Sequence, residues 1–235
     1  MSVGGALWAE HFERTAVSQV RMLTAALKDR LLPSFEQIEK EANDHAEEVF
    51  RDLGSQPASQ DDFVDMADLA EIAQERGLAR YEALSSVRQA ILNWLTVSLY
   101  HLVEQELLFF LRRQVLAQWE EHNISLFKLP VLNARLRAGG IDVEQLNGWA
   151  QLKELALVAN AIKHADGRSS EELKPLRPDL FVPPELRTTR FAQSAVGRSI
   201  YRPAAGDDLF VSFADFETYA TSVERFLLAF ADAIR

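Results

Sequence analysis

The stretch Ile91-LNWLTVSLYHLVEQELLFF-Leu111 decides the architecture of this chain. It is apolar on most sides and long enough to be read either as a membrane span or as the central helix of a bundle. Asn93, His101, Glu104, Gln105 and Glu106 interrupt it, and polar groups at that density are too costly in hydrocarbon. The stretch therefore predicts a buried core helix, with no membrane as partner. No proline or glycine occurs from Ala79 to Trp119, so one helix is expected over that whole range.

Toward the N-terminus, Trp8, Phe12, Ala16, Val20, Leu23, Leu27 and Leu31 recur at three- and four-residue spacing. This predicts a long first helix that Pro33 ends. Phe35, Ile38, Ala42, Val49 and Leu53 trace the stripe of a second, and Gly54 opens a polar linker from Ser55 to Asp62. Asp61 or Asp62 suits the cap of a short helix carrying Phe63, Met66, Leu69 and Ile72, with Gly77 as its end.

Toward the C-terminus, Pro130 suits the first turn of a short helix closed by Gly139-Gly140, and Asp142 with Gln145 resembles a capping box. Gly148 is expected to kink the next helix, which runs from Leu152 to Ala165 and stops near Gly167 in a left-handed cap. Pro175, Pro178, Pro183 and Pro184 punctuate an irregular connection, and Asp208 to Val211 is the one extended piece expected. Ser212 and Asp215 then cap a last helix with Phe216, Tyr219, Val223, Phe226, Leu227 and Phe230 on one stripe. The fold class is all-α: an antiparallel helical bundle with a long central helix and at most one very short β segment. Residues 1–54 form a helical pair, appendage or part of the bundle, and residues 62–235 the main helical domain.

With 235 residues, 48% of them hydrophobic, the chain can bury a sizeable core. Zero cysteines exclude disulfides, thiolate zinc sites and a cysteine nucleophile. The opening MSVGGALWAEHFERT lacks the basic start and apolar core of a secretory signal, and a cytoplasmic location is the expectation. A net charge of −10 argues against indiscriminate coating of nucleic acid. Phosphate loops, dinucleotide fingerprints, zincin motifs and nucleophile elbows do not occur, so no cofactor is expected. One segment runs against the acidic balance: between Leu186 and Gly206, Arg187, Arg190, Arg198 and Arg202 interleave with Phe191 and Tyr201 and no acidic residue. They suit RNA phosphates and bases, or pair with the acidic remainder of the protein.

The polar residues of the Leu152–Ala165 helix are the candidate site. Asn160 and His164 are four apart and share a face. An imidazole takes and gives protons near neutral pH; the alternative for His164 is to cap carbonyls at the helix end. On the central helix His101 and Glu104 stand side by side. They read as a buried polar contact supporting His164; a metal site is the weaker alternative, because no Glu-x-x-His motif occurs, and none is expected. His11, His45 and His122 lie among charged residues and read as solvated.

Asn160-Ala161-Ile162-Lys163-His164, on a helix that follows a buried one bearing Tyr100-His101-Leu102-Val103-Glu104, resembles the HEPN superfamily (higher-eukaryote and prokaryote nucleotide-binding domains). The resemblance runs from about Phe63 to Arg235. It implies a homodimeric helical bundle, RNA as substrate, and a metal-independent endoribonuclease of a toxin–antitoxin or antiviral system, with an antitoxin or defence protein as partner. The family signature is Arg, often Asn, a few residues, then His. Asn160 and His164 fall on its Asn and His, while Ala159 stands where the Arg belongs. The resemblance thus implies catalytic roles for His164 and Asn160, or a non-catalytic dimerisation and partner-binding module. Lys163 lies one turn beyond Ala159, about 6 Å along the axis; it either supplies the missing charge in part or is a solvated helix-end cation.

Overall fold

A computed structural model describes residues 3–55, 65–188 and 199–235, and among them every regular element is helical. Helix α1 (Val3–His11) passes through a wide turn, Phe12–Ala16, into α2 (Val17–Ala26). A second wide turn, Leu27–Leu31, and a 3₁₀ turn at Leu32–Phe35 end the run, with Pro33 where a helix cannot continue. In both wide turns a backbone N–H reaches five residues back: Val17 to Phe12 O and Leu32 to Leu27 O. That slip keeps Phe12, Ala16, Val17, Val20 and Leu27 on the inner side.

Helix α3 (Ile38–Ser55) packs antiparallel on the first part of α4 (Met66–Phe110). Helix α4 has 45 residues, about 66 Å at the α-helical rise. Asp65 caps it, accepting from the Ala67 N–H at 2.8 Å. Gly77 was expected to end a short helix here; instead α4 runs straight through it. Gly77 is buried against α3, where an added Cβ would lie 2.8 Å from Ala46 Cβ and 3.0 Å from the Ala42 carbonyl. The glycine is there for close helix approach, not for termination. The cap and start of that expected helix, residues 61–63, lie outside the described residues.

Nor does α4 reach Trp119. It gives way at Leu111–Val115 to a wide turn in which Leu116 N–H reaches Leu111 O at 2.9 Å. Helix α5 (Leu129–Ala138) has Pro130 in its first turn and Gly139 at its end. Helices α6 (Trp149–His164), α7 (Arg168–Leu176) and α8 (Phe213–Ile234) follow. Gly148 starts α6 instead of kinking it: at φ +90° it lies so close to Ser222 O that a Cβ would meet that atom at 2.4 Å.

The core joins the first helical run to the last. Phe230 of α8 meets Phe12 at 5.1 Å and Phe110 of α4 at 5.3 Å between ring centroids, both edge to face. Against α4 and α8 packs α6, burying Leu152, Leu155, Val158 and Ile162. Ser212 and Asp215 cap α8 reciprocally, as their spacing predicts. Asp208 to Val211 pairs with no strand among the described residues: Phe210 N–H donates to Leu180 O at 2.7 Å, and the Val211 N–H meets Asn93 Oδ1 at 3.5 Å.

Asn93 is fully buried, and its amide nitrogen donates to Pro203 O (2.7 Å) and Leu209 O (2.8 Å). Gln89 adds a bond to Val211 O at 2.9 Å and another to Asn93 Oδ1. Together they hold the irregular 203–211 connection against α4.

Asn93→Ala strands two buried carbonyls; we expect a loss of about 2–4 kcal/mol in urea denaturation. Gly77→Ala separates the two competing effects at that position. Intrinsic propensity favours alanine by about 1 kcal/mol, but the contacts to Ala42 and Ala46 force the helices apart. We expect faster amide hydrogen exchange across α3; slower exchange would show that propensity wins.

Candidate functional site at the end of helix α6

The last two turns of α6 carry three polar side chains on one arc. Lys163 and His164 flank the Asn160 direction at 100° per residue, while Ala159 and Ile162 point into the core. Asn160 is half-buried and His164 exposed, and neither side chain has a hydrogen bond or ion pair among the described residues. Ala159 is 0% exposed. A guanidinium at that position would have to enter the hydrophobic core.

Lys163 is not a solvated helix-end cation. Its ammonium lies 3.1 Å from His101 Nε2, and His101 Nδ1 lies 2.8 Å from Glu104 Oε2. For both to be hydrogen bonds with the ammonium donating, His101 is neutral and carries its proton on Nδ1. Tyr100 completes the chain, donating from Oη to Glu104 Oε1 at 3.3 Å. Burial, and then the Glu104 carboxylate, push the Tyr100 phenol well above its ordinary pKa, so it remains a donor. His101 and Glu104 thus come together as their spacing predicts, and what they support directly is Lys163. No hydrogen bond joins His101 to His164 among the described residues.

The helix ends at Ala165, a non-glycine residue at φ +59° whose N–H still reaches Ala161 O. Gly167 was expected to hold the left-handed position; it is extended and begins α7, its N–H donating to Ser170 Oγ. Asp166 between them is a clasp. Its N–H donates to Ile200 O (3.2 Å) and its carboxylate accepts from the Ile200 N–H (3.0 Å). Tyr201, 75% exposed, and Arg202 are thereby set beside the end of α6.

The four arginines of the basic segment separate. Arg190 and Arg198 lie outside the described residues. Arg187 turns inward, donating to Val182 O and Phe210 O at 3.3 and 2.6 Å. Arg202 forks onto Asp207 while its side chain stays largely exposed.

Sequence reasoning missed two features. His11 is not solvated: it bonds Glu106 of α4 at 2.7 Å and lies edge-on to Trp8. Arg177 gathers Glu154, Asp179, Asp215 and Tyr219 around one guanidinium. Burial alone would raise the Asp215 carboxyl, but hydrogen bonds from Ser212 and Arg177 hold it below its ordinary value. This is a structural knot joining α6, α7 and α8.

Among the described residues no group of three or more His, Cys, Asp or Glu is arranged to hold a metal ion, and no helix is long and apolar enough to cross a membrane. Compared with known proteins, the chain matches no family model, no curated protein and no solved structure. The class of protein defined by the fold is an all-α helical bundle with one long helix.

The Ile200 N–H, then Ser199 and Lys174, hold the Asp166 carboxyl below its ordinary 3.8, outweighing the opposing effect of burial. A depressed carboxyl stabilises the fold above its unfolded value and loses that contribution as pH falls through the folded one. We therefore expect the clasp to open below pH 3.8. The Ile200 amide proton should then move and exchange faster by NMR, and Asp166→Asn should abolish that titration.

Proposed function

We propose that this chain is an RNA-directed protein acting as a metal-independent endoribonuclease in a toxin–antitoxin or antiviral defence system. One observation carries the reading: Asn160, Lys163 and the exposed His164 share one arc of α6, with Lys163 braced by His101–Glu104 and the clasped Tyr201–Arg202 segment beside them. The resemblance of Asn160 to His164 to the HEPN superfamily points the same way. Exposed aromatic and cationic groups beside an unpartnered imidazole suit a single strand, with bases stacking on Tyr201 and phosphates near Lys163 and Arg202.

In this reading His164 accepts the proton of an RNA 2′-hydroxyl as that oxygen attacks the adjacent phosphate. A proton returns to the departing 5′-oxygen, leaving a 2′,3′-cyclic phosphate. In a homodimer two α6 ends face one cleft, so that one His164 serves as base and the partner's His164 as acid. Asn160 orients the imidazole. Lys163 spends one N–H on His101 and keeps two for phosphoryl oxygens, as a point charge without arginine's planar grip. Cleavage is therefore slow.

A second reading is favoured by the burial of Ala159, which leaves no place for the signature arginine. In it the chain is a non-catalytic module that dimerises and binds an antitoxin or another defence protein.

The two readings part in one assay. Purified protein is incubated with single-stranded and structured RNA in excess chelator. We expect cleavage that chelator leaves intact, that His164→Ala lowers by about 10²–10⁴, and that Lys163→Ala lowers by about 10²–10³. RNA left whole by a dimeric wild-type protein overturns the enzyme reading in favour of the module.

A further inference from the structure

A second site lies on α4, about 20 Å along the helix from His101 at the 1.5 Å rise per residue. A cleft of about 400 Å³ opens where Ser85, Ser86 and Arg88 face the turn Pro183–Glu185 and the segment Gly206–Phe213. A shallower one of about 280 Å³ continues it past Arg88 toward Phe35 and Ile38. These volumes fall in or near the range of small-molecule sites.

The walls are held in place without a ligand. Arg187 bridges them, donating to Val182 O on one side and Phe210 O on the other. Gln89 bonds Val211 O, and Asn93 bonds Leu209 O just behind. Gly206 sits so close to α4 that a Cβ would meet Ser86 O at 2.1 Å. Pro183 and Pro184 restrict the remaining turn. A cleft set this way spends little binding energy on ordering itself.

Gln89, Asp207 and Ser212 in its lining are bonded within the protein, but among the described residues four of its polar side chains are not. Arg88 has no ion pair or hydrogen bond among the described residues, and neither have the side chains of Ser85, Ser86 and Glu185. Arg88 and Glu185 line one cleft with opposite charges and do not pair with each other. Arg30, Arg76 and Arg225 also lack a carboxylate partner among the described residues; at Arg88 an unpaired cation and an unpaired anion line the same preformed cleft. The half-buried Phe210 and Phe213 line the same cleft and present apolar surface, with the buried Leu92 at its floor.

We propose that this cleft binds a small amphipathic zwitterion, an α-amino acid with a large apolar side chain. Its carboxylate lies on the Arg88 guanidinium and the serine hydroxyls, a match suited to arginine's planar fork. Its ammonium lies toward Glu185, and its side chain packs on Leu92, Phe210 and Phe213. A simple anion would leave Glu185 opposing it, and a simple cation would meet Arg88, so the charge pair selects a ligand carrying both. The site is independent of the RNA chemistry proposed for α6.

L-Phenylalanine is the probe, titrated into the full chain by calorimetry and by amide chemical shift. We expect saturable binding, with shifts confined to Ser85–Leu92, the turn at Glu185 and the 206–213 segment. Arg88→Gln should weaken it about 10-fold or more, the worth of a charged hydrogen bond. Glu185→Gln should weaken L-phenylalanine toward the level of 3-phenylpropionate, which lacks the ammonium, and should not weaken 3-phenylpropionate, whose carboxylate it no longer opposes. His164→Ala should bind like wild type. Both variants replace exposed, unpaired side chains, and an unchanged thermal melt verifies their fold. Absence of saturable binding, indifference to Arg88→Gln, or equal affinity for 3-phenylpropionate each overturns the proposal.

Discussion

The buried amide of Asn93 is the constraint on which the rest of this molecule depends. It sits on the innermost face of α4 with no exposure to water, where an unmatched amide costs several kcal/mol. Its partners are backbone groups of an irregular segment more than a hundred residues further along. Satisfying Asn93 therefore forces the 203–211 connection onto α4. That placement orders both ends of the segment: Tyr201 and Arg202 beside α6, and Phe210 to Phe213 as the wall of the cleft.

The same logic governs the polar groups at the end of α6. Helix α4 presents His101 and Glu104 to Lys163, and the three form a chain whose protonation pattern follows from geometry: carboxylate, neutral imidazole, ammonium. Among the described residues Asn160 and His164 have no partner, and Lys163, fixed in this way, keeps the donors it does not give to His101. The proposed chemistry thus rests on a cation held by α4 and an imidazole offered by α6.

Much of the fold was legible because amphipathic spacing is local. The stripes of the first run, of α6 and of α8 could be traced on the chain, as could the Ser212–Asp215 cap. What misled was glycine. Gly77, Gly148 and Gly167 each look like a helix stop or kink, yet Gly77 serves close packing on Ala42 and Ala46, Gly148 close approach to Ser222, and Gly167 the start of α7. At Gly77 and Gly148 the requirement for no Cβ comes from a neighbour that sequence spacing does not name, while at Gly167 a Cβ would meet nothing. His11 was misread for a related reason, since Glu106, its partner, is ninety-five residues away.

The candidate site divides along the same line. Asn160 with His164, and His101 with Glu104, are helical neighbours, so their proximity was determined by the sequence itself. That Lys163 belongs with His101, that Ala159 is sealed in the core, and that Arg187 braces a cleft were decided by the packing of α6 and the C-terminal connection on α4. A helix dictates which side chains share a face because its period is built into the backbone. Which face meets which neighbour is set by burial and by the matching of buried polar groups, and these exist only once distant segments have come together.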